Sequence, residues 1–195
     1  RTLQFSYVVE DDQDIGRLDT VQLEGTLKDL AGNQAAPSAK QITLSNNPGI
    51  IIDTTAPVIT VDPPSGSDYA KTHDIQLQIA DRDAEPTVFH LWNQSSAPPS
   101  NGEITGIGAA SGQLLPQPDP VSGDYYVHIR ALEDVGNEAV ATFGPYKFDH
   151  EPPAATFSDA PQASNEPIAV TITADDNLSG VKQMAYRWQG EGDPL

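Results

Sequence analysis

The residues best suited to chemistry in this sequence are carboxylates placed just beyond predicted strands. Asp53 precedes Thr54-Thr55-Ala56-Pro57, Asp81 and Asp83 follow an alternating run, and Glu133 and Asp134 open the segment Glu133-Asp134-Val135-Gly136-Asn137. In an up-and-down arrangement of strands these acids reach one pole, where unneutralised carboxylates repel one another. Calcium relieves such repulsion, because Ca2+ accepts six to eight oxygen ligands in a forgiving geometry. Asp149, Asp175 and Asp176 make the equivalent group after a second proline-rich joint. The same acids also read as turn-formers and solvated loop residues, since Asp bonds readily to its own backbone. That plainer reading carries more weight at this stage, and Ca2+ is the single cofactor expected.

Other arrangements are weaker. Glu10, Asp11, Asp12 and Asp14 imitate a calcium loop, but Ile15 stands where an EF-hand needs glycine and Val21 where it needs glutamate. That leaves a looser calcium turn or a solvated strand end. His73, His90, His128 and His150 lack metal-ligand spacing, and no Gly-x-Ser-x-Gly motif occurs. His90 reads as a strand residue with an ordinary hydrogen bond. Gly106-Ile107-Gly108 with Gly112 copies part of a dinucleotide fingerprint without the helix it requires, so a flexible loop is expected there. The absence of cysteine excludes thiol catalysis and disulfides. No catalytic residue is expected, and the chain reads as a non-enzyme.

Charge narrows the partners. Lys and Arg number 10 against 28 Asp and Glu, for a formal charge of −18. Such a surface repels nucleic acid and anionic lipid, so neither is an expected partner. The sequence holds no apolar run of about 18 residues, and direct membrane insertion is not expected.

The elements that must carry these residues are strands. Seventeen prolines and fifteen glycines interrupt any helical period. Ile75, Leu77 and Ile79 alternate with polar or small residues, as do Ile168, Val170 and Ile172, and Val127, Ile129 and Ala131. An internal repeat organises them. Asp53-Thr54-Thr55-Ala56-Pro57 and the next strand recur at Asp149-His150-Glu151-Pro152-Pro153. Ala80-Asp81-Arg82-Asp83 recurs as Ala174-Asp175-Asp176-Asn177, and Trp92 as Trp188. Asp29-Leu30-Ala31-Gly32-Asn33 recurs as Glu133 to Asn137, with Glu133 in place of Asp. Gly-Asn allows positive φ, and an Asp at the first position can accept a backbone N–H two residues on, so residues 125–132 and 138–148 should form a hairpin. The repeat divides the chain into a C-terminal half-module at 1–53, a complete module at 54–149 and an N-terminal half-module at 150–195. Proline stiffens both joints.

These segments resemble bacterial immunoglobulin-like (Big-type) tandem repeats of large secreted and cell-surface proteins. The resemblance rests on Asp29 to Asn33, Ile51-Ile52-Asp53-Thr54-Thr55-Ala56-Pro57, Leu3 to Val9 through Lys28, and Asp175 to Val181 before Tyr186-Arg187-Trp188. Residues 93–123 match nothing in it. It implies an all-β chain of immunoglobulin-like β-sandwiches, with Trp92 and Trp188 in the cores. It also implies an extracellular, bacterial-surface location and a spacer role in an adhesin or surface filament; calcium bound by the acids named above would rigidify the joints. Alternatives are an accessory region of a secreted polysaccharide-acting enzyme, or a carbohydrate- or protein-binding module using residues 93–123. Expected partners are neighbouring modules of the same polypeptide, with head-to-tail self-association as one way to cover an open half. The distal ligand is not readable.

Overall fold

A computed structural model describes residues 6–18, 28–34, 49–82, 85–158 and 163–189. Among these the structure is all β, with one short 3-10 turn at Asn101–Glu103 and no α-helix. Strands β1 (Ile15–Leu18) and β2 (Ile50–Ile52) pair antiparallel with a register shift between Ile15 and Leu18. Strands β3 (Val58–Asp62), β4 (Gly66–Ala70), β5 (Gln76–Ala80), β6 (Thr87–Asn93), β7 (Gly106–Ile107), β8 (Gly123–Leu132) and β9 (Glu138–Phe148) follow. Strands β10 (Ala154–Phe157) and β11 (Ile172–Asp175) form a last antiparallel pair.

Two sheets face each other across one core. The smaller is β3–β5, and the larger runs β4-β9-β8-β6-β7. Alternation decides which side chains enter the core: Ile59 and Val61 are buried between exposed Val58, Thr60 and Asp62, and Leu77 lies buried between exposed glutamines. From the larger sheet come Val88, Val127, Ile129, Ala131, Tyr146 and Phe148. Truncating a buried side chain such as Leu77 to alanine would cost about 2–5 kcal/mol. Pro63 and Pro64 end β3, since proline cannot donate to a ladder. The chain then crosses to the larger sheet, where β4 runs parallel to β9. Tyr146 Oη donates to Pro63 O at 2.6 Å and Gly144 N to Pro64 O at 3.0 Å, fixing that crossing.

The expected hairpin is present as β8 and β9, paired from Gly123 opposite Phe148 to Leu132 opposite Glu138. Trp92 packs edge-on against Tyr146 and Phe148, at 5.6 and 5.8 Å between ring centroids. Trp188 differs: it is 72% exposed, on a stretch without strand. His128 is buried in β8, its ring nitrogens 2.8 Å from Thr142 Oγ1 and 2.9 Å from Asn93 Oδ1.

Residues 104–117 form two sheet edges where a flexible loop was expected. Gly106–Ile107 pairs with β6, Gly108 N donates to Val88 O at 3.0 Å, and the chain then lies along β5. There Leu77 N donates to Gln113 O and Leu115 N to Ile75 O. Ile104, Ala109 and Leu115 are buried. The glycines permit close approach, because a Cβ on Gly108 would meet Val88 Cγ1 at 2.6 Å.

The repeat alignment also shifts by one residue. Ile79 lies opposite Ile59, and Ala174 opposite Ala155, the counterpart of Ile59. The residue two beyond Ala174 is Asp176, so Asp176, and not Asp175, corresponds to Asp81. Strand alternation explains the change: a one-residue slip sends side chains to the opposite face.

Candidate metal centre

Strand register brings the acids together. Val58 pairs with Ala80, and Leu132 pairs with both Thr87 and Glu138, so the start of β3, the end of β5 and the β8–β9 turn share one pole. Asp53 enters this pole one residue after β2, Asp81 one residue after β5, and Glu133 one residue after β8. One carboxylate oxygen from each lies within 4.8 Å of the other two. Opposite oxygens around an ion with bonds of about 2.4 Å stand about 4.8 Å apart, so these acids can share one calcium-sized cation.

Glu133 is the informative member. It is 6% exposed, with Oε2 accepting from Asn137 Nδ2 at 2.8 Å. Its Oε1 is buried and receives no hydrogen bond. Burial pushes the carboxyl up to about 7, reinforced by Asp81 beside it and by the charge of Asp53, against the opposing hydrogen bond from Asn137. A buried acceptor facing two further carboxylates has its electrostatic need met by a proton or a cation. Asp53 uses Oδ1 to accept from Thr55 N at 3.0 Å, and its carbonyl accepts from Asn137 Nδ2 at 3.1 Å. Asn137 therefore ties the turn to the joint.

The other expected ligands are placed elsewhere. Asp134 is exposed on the turn and does not join the group. Asp83 lies outside the described residues. At the second joint Asp149 is buried and accepts from Glu151 N at 2.9 Å and Ser179 N at 3.1 Å. Hydrogen bonding from Ser179 chiefly, with that from Glu151 N, holds its carboxyl below the usual carboxylate range. Asp176 Oδ1 accepts from Leu178 N and Gly180 N at 3.1 and 2.8 Å. Backbone donors thus serve both acids, as turn-formers are expected to be served. Asp175 is exposed at the end of β11.

Sequence reasoning missed two contributors. Asp14 reaches the first joint: its Oδ1 accepts from Thr54 N at 2.9 Å and Oδ2 from Thr55 Oγ1 at 2.5 Å. Those bonds, Thr55 foremost, hold its carboxyl down. Nothing local in Glu10-Asp11-Asp12-Gln13-Asp14 announces a contact forty residues away. Asn137 carried a signal, since Asn closes both copies of the turn motif.

No protein-family model matches this chain, and comparison with curated proteins and with solved structures returns no match.

Proposed function

We propose that this chain is a non-catalytic, extracellular spacer of immunoglobulin-like modules, stabilised by a divalent cation, most naturally calcium, at the pole where the first joint enters the complete module. The carrying observation is the Asp53, Asp81 and Glu133 cluster, in which Glu133 Oε1 is buried without a donor. Support for the immunoglobulin-like reading comes from the connectivity: two sheets packed on one core, antiparallel except where β4 joins β9, with the first strand of the module divided between them. Support for a spacer comes from the proline-bearing joints and the charge of −18, which keep an extended chain stiff and self-repelling. Two of the histidines serve packing: His128 is enclosed by Thr142 and Asn93, and the His73 ring lies 5.1 Å from Phe148. Residues 104–117 are engaged in sheet edges, which leaves less of the 93–123 segment for a ligand.

Asp53, Asp81 and Glu133 would hold the ion, which supplies charge neutralisation rather than reactivity. A ligand that binds only the folded state raises stability by about 2.7 kcal/mol at a hundredfold excess over its dissociation constant. Calorimetry of the calcium-loaded chain before and after chelation tests this: the melting temperature should fall on chelation. An unchanged melting temperature would remove the cation, and hydrolytic activity of the chain on polysaccharide would overturn the non-catalytic role.

A further inference from the structure

The first joint is bridged by contacts that involve no cation. Asp14, just before β1, accepts from both Thr54 N and Thr55 Oγ1, and Thr54 Oγ1 donates back to Gln13 O at 3.1 Å. Arg82, just beyond β5, places Nη1 3.6 Å from Asp14 Oδ2, and its Nη2 lies 3.9 Å from where a Cβ on Gly16 would stand. The hydrogen bonds tie residues 13–14 of the β1–β2 unit to the joint's own threonines through both backbone and side chain, and Arg82 adds a contact from the module beyond the joint. The Arg82 ion pair is surface-exposed and weak by itself. The hydrogen bonds to Asp14 are charge-assisted and roughly twice as strong as neutral ones.

We infer that Asp14 is a latch that sets the direction in which the β1–β2 unit leaves the module, so that cation binding at the neighbouring acids adds stability without setting that direction. The inference rests on residues 1–53 and 54–149 being separate units, and it is independent of whether the acids bind a cation. Its basis is the number of constraints on one short joint. Backbone and hydroxyl donors approach the two oxygens of Asp14 from adjacent residues, a geometry that rotation about the φ and ψ torsions flanking the Asp53–Thr54 peptide would break. Two units in one chain swing freely by default unless specific contacts hold them, and a latch is such a contact.

The chain has no cysteine, so Arg17→Cys in β1 and Asp124→Cys in β8, both exposed, accept spin labels cleanly. Pulsed electron–electron resonance of the full chain, in calcium and in excess chelator, reads the distance between the two units. The labelled parent should give one narrow peak that is the same in both conditions. Asp14→Ala should lose the single peak in chelator. Thr55→Val, which removes one donor and leaves the acid, should broaden it in the same condition. A parent whose peak disperses on chelation, or an Asp14→Ala chain that keeps its narrow peak in chelator, would overturn the latch. A melting temperature indifferent to calcium would instead count against the metal centre alone.

Discussion

The two turns built on the motif [Asp/Glu]-x-x-Gly-Asn share a backbone and differ in what their carboxylate does. In the first, Asp29 N donates to Asn33 O at 3.0 Å and Gly32 N to Asp29 O at 3.1 Å; in the second, Glu133 N donates to Asn137 O and Gly136 N to Glu133 O, both at 3.0 Å. Each needs its glycine at positive φ, +91° at Gly32 and +100° at Gly136. Asp29 folds onto its own turn, accepting from Ala31 N at 3.0 Å, Asn33 N at 2.7 Å and Asn33 Nδ2 at 2.7 Å. Glu133 accepts from Asn137, leaves Oε1 without a donor and brings its carboxylate close to those of Asp53 and Asp81. The carboxyl of Asp29 is accordingly held down, first by the Asn33 side chain, while that of Glu133 is pushed up to about 7. One methylene converts an acid satisfied by its own loop into an acid that needs a partner.

Shortening that side chain is the sharpest way to break the contrast. Glu133→Asp should let the carboxylate cap its own turn, as Asp29 does, and withdraw it from the pole. Saturating calcium should raise the melting temperature of the parent by on the order of 10 °C, from about 2.7 kcal/mol on a module of this size. The variant should show no calcium shift and should melt above the parent in chelator. Full retention of the shift in calorimetry would mean that the pole does not depend on Glu133.

Proton linkage gives a smaller effect with a defined sign. The folded-state carboxyl of Glu133 titrates at about 7, above its ordinary 4.5. Between those values the folded chain holds a proton that the unfolded chain has released, so this contribution is full below 4.5 and disappears as pH rises through 7. In chelator, melting temperature should therefore fall from pH 5 to pH 8, and Glu133→Gln should flatten that slope. Asp29, with its lowered carboxyl, contributes in the opposite sense, losing stability as pH falls through its folded value. A parent slope matching that of Glu133→Gln would sink the assignment.

The smallest differences concern the glycines. Gly136→Ala meets no atom within 4 Å and is penalised by backbone strain alone, about 1–2 kcal/mol. It should lower the main melting transition, because its turn joins the two longest strands of the core sheet. Gly32→Ala carries the same strain outside the core cluster and should leave that transition in place, while speeding amide exchange at Asn33. Equal shifts from both substitutions would show that the two turns belong to one cooperative unit.

Much of the fold was readable because it is local. Alternation at Ile75, Leu77 and Ile79 placed β5 with its apolar face inward, and Glu133 to Asn137 marked the β8–β9 turn. The first pole was anticipated at Asp53, Asp81 and Glu133 because strand direction alone carries the chain ends there. That Asp134 is exposed and outside the group was not legible, for want of a side-chain direction within the turn, nor that Asp175 is exposed at the end of β11, because a repeat alignment without register cannot say which face a residue occupies. Gly106 to Gly112 was read as loop because this part of the 104–117 stretch forms its edges with short, glycine-bearing pieces that lack a period of two.

Taken alone, the sequence determined that the chain is built of strands, where the tight turns fall and which acids sit beyond strand ends, since these follow from period-two burial and the φ requirements of glycine and proline. Tertiary structure decided which acids meet, which are silenced by backbone donors, and that Asp14 crosses to Thr54 and Thr55. Apart from the Asp176 bonds within one turn, those contacts join residues 28 to 80 positions apart, and only the register of paired strands brings such distant side chains within reach of one another.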